Sequence, residues 1–124
     1  VGAGAYAAVY PGQQYVGNDV IAVGFMYKPS ALTMAGSPAI LRDSNLPAGS
    51  DAPIFDGDNM NRAALAVTFT SNGDNEECIT VANNHFKSKG GSGSGTGNTN
   101  DANGAASWNQ RRLDAAIAVD NWLK

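Results

Sequence analysis

Cysteine and histidine each occur only once in this chain, and charged residues are scarce at 15% against a usual quarter or so. With Cys78 alone, no internal disulfide can form and no cysteine cluster can hold a metal. Its apolar neighbours in sequence lead us to expect a buried, inert thiol. The net charge of −3 leaves no chain-wide basic excess, which excludes a general electrostatic grip on nucleic acid. Any phosphate binding must therefore be local. No apolar stretch approaches the ~20 residues that span a membrane, and no charged-then-apolar leader opens the chain. The phosphate-loop pattern GxxxxGK[ST] is missing too.

What is present fits a single domain of 124 residues around one modest core. Gly, Asn, Ser, Thr and Ala are abundant while Lys and Glu are few, a composition common among secreted bacterial proteins. The first residues, already strand-like in AGAYAAVY, lead us to expect a start inside a larger domain.

Residues 6–10 read as a short strand ended by Pro11-Gly12. Residues 19–28 (DVIAVGFMYK) are apolar on both alternating faces, which predicts a strand covered on both sides. A weaker strand is predicted over 31–41, interrupted by Gly36 and Pro38. Residues 45–60 read as loop; the run SDAPIFDGDN there lacks the ligand spacing and terminal glutamate of a calcium loop. Leu65, Val67 and Phe69 alternate with Ala64, Ala66 and Thr68 across 62–70. Asn72-Gly73-Asp74 then predicts a turn, with 78–86 returning as the hairpin partner. The Gly/Ser/Asn/Thr tract 90–104 reads as a flexible surface excursion.

The last segment, 105–124, is predicted helical. Steps of ~100° put Trp108, Ala115, Ala116, Val119, Trp122 and Leu123 on one apolar arc. Arg112 falls inside that arc, where a charge needs either a structural partner or an anion. Arg111 falls on the opposite, solvated side.

His85 is the side chain whose unperturbed titration lies near neutral pH. It ends the predicted strand 78–86 on one face with Ile79, Val81 and Asn83. Lys87 and Lys89 follow it at once, so its surroundings attract an anion. Asp19 opens the predicted strand 19–28, where a carboxylate needs pairing. It is expected either to hold the His85 ring in one tautomer or to cap a turn after Gly17-Asn18.

Four segments, GNDVIAVGFMYKP, NRAALAVTF, VANNHFKSKG and SWNQRRLDAAIAVDNWL, stand in this order. Together they resemble the middle of bacterial extracellular nucleases of the endonuclease/exonuclease/phosphatase superfamily, relatives of pancreatic deoxyribonuclease I. The resemblance covers nearly the whole chain. It implies an α/β (α+β) fold, part of a DNase I-like four-layer sandwich of two mixed sheets with helices outside. About five strands and one C-terminal helix are expected here. It further implies magnesium-assisted hydrolysis of phosphodiester bonds in DNA or RNA.

By that resemblance His85 orients the phosphate and helps stabilise the transition state or leaving group, with Asp19 holding it. Arg62 contacts a substrate phosphate; Asn84, Lys87, Lys89 and Arg112 complete the expected substrate-binding set. Two departures stand out: Ala63 replaces the family's proline after Asn61-Arg62, and no cysteines flank the loop after VANNHFKSKG. The family's QE, GDxN and SDH motifs, which supply metal ligands and the general base, do not occur. We therefore expect an internal portion of a secreted nuclease, inactive alone, binding no metal by itself, with uncovered edges that favour self-association. Other readings stay open: a phosphatase or sphingomyelinase-like enzyme of the same superfamily, or a non-enzymatic secreted β-rich binding or structural module.

Overall fold

The alternating run at 64–71 becomes the centre of the molecule. In the computed structural model, which describes residues 4–73, 77–100 and 104–124, six strands, one α-helix and a short 3-10 turn at Asp43–Asn45 form, and every described strand pair is antiparallel. In chain order the strands are β1 (Ala7–Ala8), β2 (Met26–Tyr27), β3 (Leu32–Met34), β4 (Ala39–Leu41), β5 (Ala64–Ser71) and β6 (Cys78–Asn83). The helix α1 spans Asn109–Trp122. This is the expected mixed α/β class, although the pairs make no mixed sheet.

Strands β5 and β6 form the predicted hairpin, in register from Leu65↔Asn83 to Thr70↔Cys78. The turn between them contains Asp74, which lies outside the described residues. β3 and β4 share the opposite edge of β5, at Leu32↔Ser71 and Leu41↔Ala64 respectively. Between Met34↔Phe69 and Ala39↔Ala66 the β3–β4 side advances five positions and β5 only three. The two extra residues loop out around Gly36, whose φ of +88° suits glycine. An even excess leaves the inside–outside alternation unbroken. The predicted weak strand is thus one strand in two pieces.

Each face of this sheet is covered differently. Leu65, Val67 and Phe69 lie under Val9, Val16, Val23, Phe25 and Tyr27, contributed by the β1–β2 ribbon and the chain between its strands. The Ala64 and Leu41 side packs against Ala115, Ala118 and Val119 of α1, with Ile54 and Phe55. Ala64, Ala115 and Ala118 are fully buried, so small side chains let helix and sheet approach closely. The loop expected at 45–60 thus supplies two core residues. Asp43 fixes them there: Oδ1 accepts the Ile54 and Phe55 N–H groups at 2.9 and 2.8 Å, and Oδ2 accepts that of Asp56.

Four sequence expectations need correction. Only Met26–Tyr27 of the predicted strand 19–28 is strand, because β1 is its sole ladder partner among the described residues. Val23, Phe25 and Tyr27 face inward, while Val20 is 93% and Met26 73% exposed, so the segment is covered on one face only. Cys78 is exposed rather than buried, standing beside Thr70 at the last pair of the β5–β6 ladder.

The helix starts four residues late, since Ala106 and Trp108 adopt left-handed backbone at φ +60° and +66°. Its buried stripe is Ala115, Ala118 and Val119, with Trp122 beside it; Ala116 and Leu123 are exposed. Finally, the described part of the 90–104 tract is a folded cap on α1. The Asn98 carbonyl accepts Trp108 N–H at 2.8 Å, the Gly97 carbonyl accepts Gln110 N–H at 2.9 Å, and Asn98 Oδ1 accepts Arg111 N–H. These bonds satisfy donors that a helix start leaves orphaned. Among the described residues no helix is long and apolar enough to cross a membrane.

Candidate functional site

An antiparallel hairpin brings the start of one strand beside the end of the other. Extending the β5–β6 ladder past Leu65↔Asn83 therefore brings Ala63 opposite His85 and Arg62 opposite Phe86, and the Arg62 N–H donates to the His85 carbonyl at 3.1 Å. One residue earlier, Asn61 is 2% exposed and fully bonded. Its Nδ2 donates to the carbonyls of Ile54 and Arg111, both at 2.9 Å, and its Oδ1 accepts Lys87 N–H at 2.9 Å. A single amide thus ties the core loop, α1 and the segment after His85 together.

A cleft of about 490 Å³ opens beside this junction, with Asp19, Asp58, Asn61, Arg62 and Lys87 among its lining residues. Gly17 lets the chain close it down: its φ is +93°, and a Cβ there would stand 2.9 Å from the Ala63 Cβ. Arg62 enters the cleft paired, its Nη2 3.0 Å from Asp19 Oδ2. Lys87 lies with Nζ 5.5 Å from the centroid of the Trp108 ring, and Arg111 stands over the same ring at 4.7 Å. Trp108 itself is buried and donates its indole N–H to the Gly90 carbonyl at 3.2 Å. The Lys87 ammonium thus rests over the Trp108 ring, and the residue lines the cleft.

Of the residues expected at the site, the cleft brings together Asp19, Arg62 and Lys87. His85 contributes its carbonyl to that junction, but its side chain is exposed and forms no hydrogen bond among the described residues. The expected Asp19–His85 contact is not made, because both carboxylate oxygens are committed elsewhere. Asp19 Oδ1 accepts Ile21 N–H at 3.0 Å and Oδ2 pairs with Arg62. The Ile21 bond is the turn-capping role weighed above, and with the Arg62 charge it holds the Asp19 carboxyl below its usual range.

Lys89 is exposed and outside the cleft lining. Asn84 reaches only the Ala82 carbonyl, at 3.5 Å, and its Oδ1 is buried without a partner. Arg112 is structural. Its Nη1 donates to the carbonyls of Ser107 and Lys87, and its Nη2 to that of Ala105 at 2.7 Å, so neither an ion pair nor a free anion site results. Nor is Arg111 simply solvated: its guanidinium reaches the Asn59 carbonyl at 2.8 Å as well as the Trp108 ring.

Asn61 escaped the sequence reading. It stands in the Asn61-Arg62 motif of the resemblance, but nothing periodic marks it as the residue that ties three segments together.

Magnesium favours octahedral sites built from carboxylate and water oxygens. Asp19 does not fit that role, since both its oxygens are occupied and the Arg62 guanidinium stands against one of them. Among the described residues no group of three or more His, Cys, Asp or Glu side chains is placed to hold a metal. No family model, curated protein or solved structure matches this chain.

Proposed function

We propose that this chain carries the phosphate-contacting part of a secreted, DNase I-like phosphodiesterase acting on nucleic acid. The observation that carries the reading is the convergence of Arg62 and Lys87 on one cleft, at the strand end that presents His85. Arg62 is the anchor for a phosphate oxygen pair, since a guanidinium matches that geometry with two parallel N–H bonds. Lys87 supplies a second positive charge, held by its Trp108 contact and by the bond from its N–H to Asn61. His85 carries an exposed side chain on the segment that ends in Lys87, and in this reading it gives a proton to a leaving oxygen of a bound diester. Magnesium, which the family resemblance implies for the intact enzyme, would need carboxylates other than that of Asp19. Binding is therefore the property to test in this chain.

The test is fluorescence anisotropy of a labelled oligonucleotide titrated at several salt concentrations. Binding should weaken with salt, and Arg62→Gln and Lys87→Gln should each lower the logarithmic salt slope by about one unit, as one lost phosphate contact does. Slopes unchanged in both variants would remove the cleft from nucleic-acid binding.

A further inference from the structure

Arg62 reaches the cleft with its charge already answered, which an open phosphate anchor would not need. Three features of the pair bear on this. Asp19 is the outer partner: its side chain is 43% exposed, against 19% for Arg62. The contact is one-handed, since the Asp19 oxygen meets Nη2 while the Arg62 Nε is buried with no hydrogen-bond partner. Nε and Nη2 lie along one edge of a guanidinium, the edge that two oxygens of a phosphate engage together. Finally, Lys87 lines the same cleft and forms no ion pair among the described residues.

We infer that Asp19 is a built-in competitor for the anion at Arg62, so that the cleft takes a phosphate by exchange for this carboxylate. The inference rests on the phosphate reading of the cleft. The exchange is charge-neutral at Arg62 for a phosphodiester, which like the carboxylate carries one negative charge. It gains the second, Nε donor that the carboxylate leaves unused, together with attraction to Lys87. It costs one exposed ion pair and the hold of Ile21 N–H on the departing side chain. Asp19 thereby sets a threshold: weak anions leave the pair closed, and a ligand that engages both Arg62 and Lys87 opens it. Its place is that of a specificity residue acting on Arg62, not of a partner to His85.

The experiment is a calorimetric or anisotropy titration of the whole chain with a short labelled oligothymidylate at low salt. Asp19→Asn should tighten binding roughly two- to fivefold, the range of an exposed ion pair. Asp19→Glu, which keeps a carboxylate in reach, should not tighten it. The gain from Asp19→Asn should vanish in an Arg62→Gln background. Asp58→Asn removes a charge from the same cleft without an ion pair to Arg62, so whatever gain it gives should survive in that background. If Asp19→Asn binds no more tightly than the parent while Arg62→Gln binds more weakly, the competitor role is overturned and the phosphate reading stands. If Arg62→Gln binds as well as the parent, the phosphate reading falls and the inference with it. Equal gains from the Asp19 and Asp58 variants, both surviving loss of Arg62, would show a generic charge effect and also overturn it.

Discussion

Replacing Asn61 by alanine should destabilise the fold by about 3–4 kcal/mol, although the residue is neither apolar nor in a regular element. The substitution removes three side-chain hydrogen bonds, to the Ile54 and Arg111 carbonyls and from Lys87 N–H. Each is worth about 1 kcal/mol net. The Ile54 carbonyl keeps the bond it accepts from the Asn61 backbone N–H, so it is not stranded. Lys87 N–H has no such reserve, and a donor left unmade in a partly buried place adds about 1 kcal/mol more. Against a total of roughly 6–19 kcal/mol for a domain of this length, that is a large share.

Urea unfolding followed by tryptophan fluorescence reads the change. With a slope of about 1–3 kcal/mol per M, the midpoint should fall by roughly 1–4 M at unchanged slope. Asn61→Asp is the sharper variant. It keeps the acceptor for Lys87 N–H but turns both donors into acceptors facing carbonyl oxygens, and should be at least as damaging. An Asn61→Ala protein within about 1 kcal/mol of the parent would refute the reasoning, because the three segments would then be held by something other than this amide.

Arg112→Gln should lower stability by about 2 kcal/mol or more in the same assay, since a charged donor to three carbonyls is lost; the salt slope of oligonucleotide binding should not change. Gly93→Ala should disrupt the cap on α1 by about 2 kcal/mol, because its Cβ would stand 1.7 Å from the Asn98 carbonyl oxygen, and hydrogen exchange at Gln110 and Arg111 should quicken. Asp19 should contribute an acid-labile increment to stability. Its folded carboxyl titrates below the ordinary value of 3.8, so the increment is complete above that value and is lost as pH falls through the lower folded value. The melting-temperature gap between the parent and Asp19→Asn should accordingly be present at neutral pH and close below pH 3.8; a gap that persists in acid would contradict the pairing with Arg62.

Period-two alternation was a sound guide wherever a ladder partner existed. Leu65, Val67 and Phe69 against Ala64, Ala66 and Thr68 marked β5, and the hairpin to β6 followed from the turn between them. The same alternation misled at residues 19–28. It put Ile21, Val23 and Phe25 on one face and Val20, Ala22 and Met26 on the other and implied that both were covered. Only Val23 and Phe25 pack inward, whereas Val20, Ile21 and Met26 are exposed. Helical angle found Trp108, Ala115 and Val119. It missed Ala118, an alanine whose place is decided by close approach to Ala64 rather than by its own hydrophobicity. The angle also singled out Arg112 as a charge in need of partners, and the partners proved to be carbonyls of loops whose paths no local pattern fixes.

The cleft divides along the same line. Arg62 had to lie beside the stretch from His85 to Phe86 once β5 and β6 were read as a hairpin, because the register that pairs Leu65 with Asn83 carries on to Ala63 with His85 and Arg62 with Phe86. Lys87 follows from the same ladder, two residues on. Asp19 does not. It sits on a segment with no strand neighbour of its own, so its partner is chosen by tertiary placement, through Gly17 closing on Ala63 and the turn at Ile21. That placement sets it against the arginine and not the histidine. An aspartate paired to His85 would favour the imidazolium and prime the ring to donate a proton. An aspartate paired to Arg62 instead lowers the free positive potential where an anion would dock. The two arrangements use the same residues and predict different effects of Asp19→Asn on anion binding: little change in the first, tighter binding in the second.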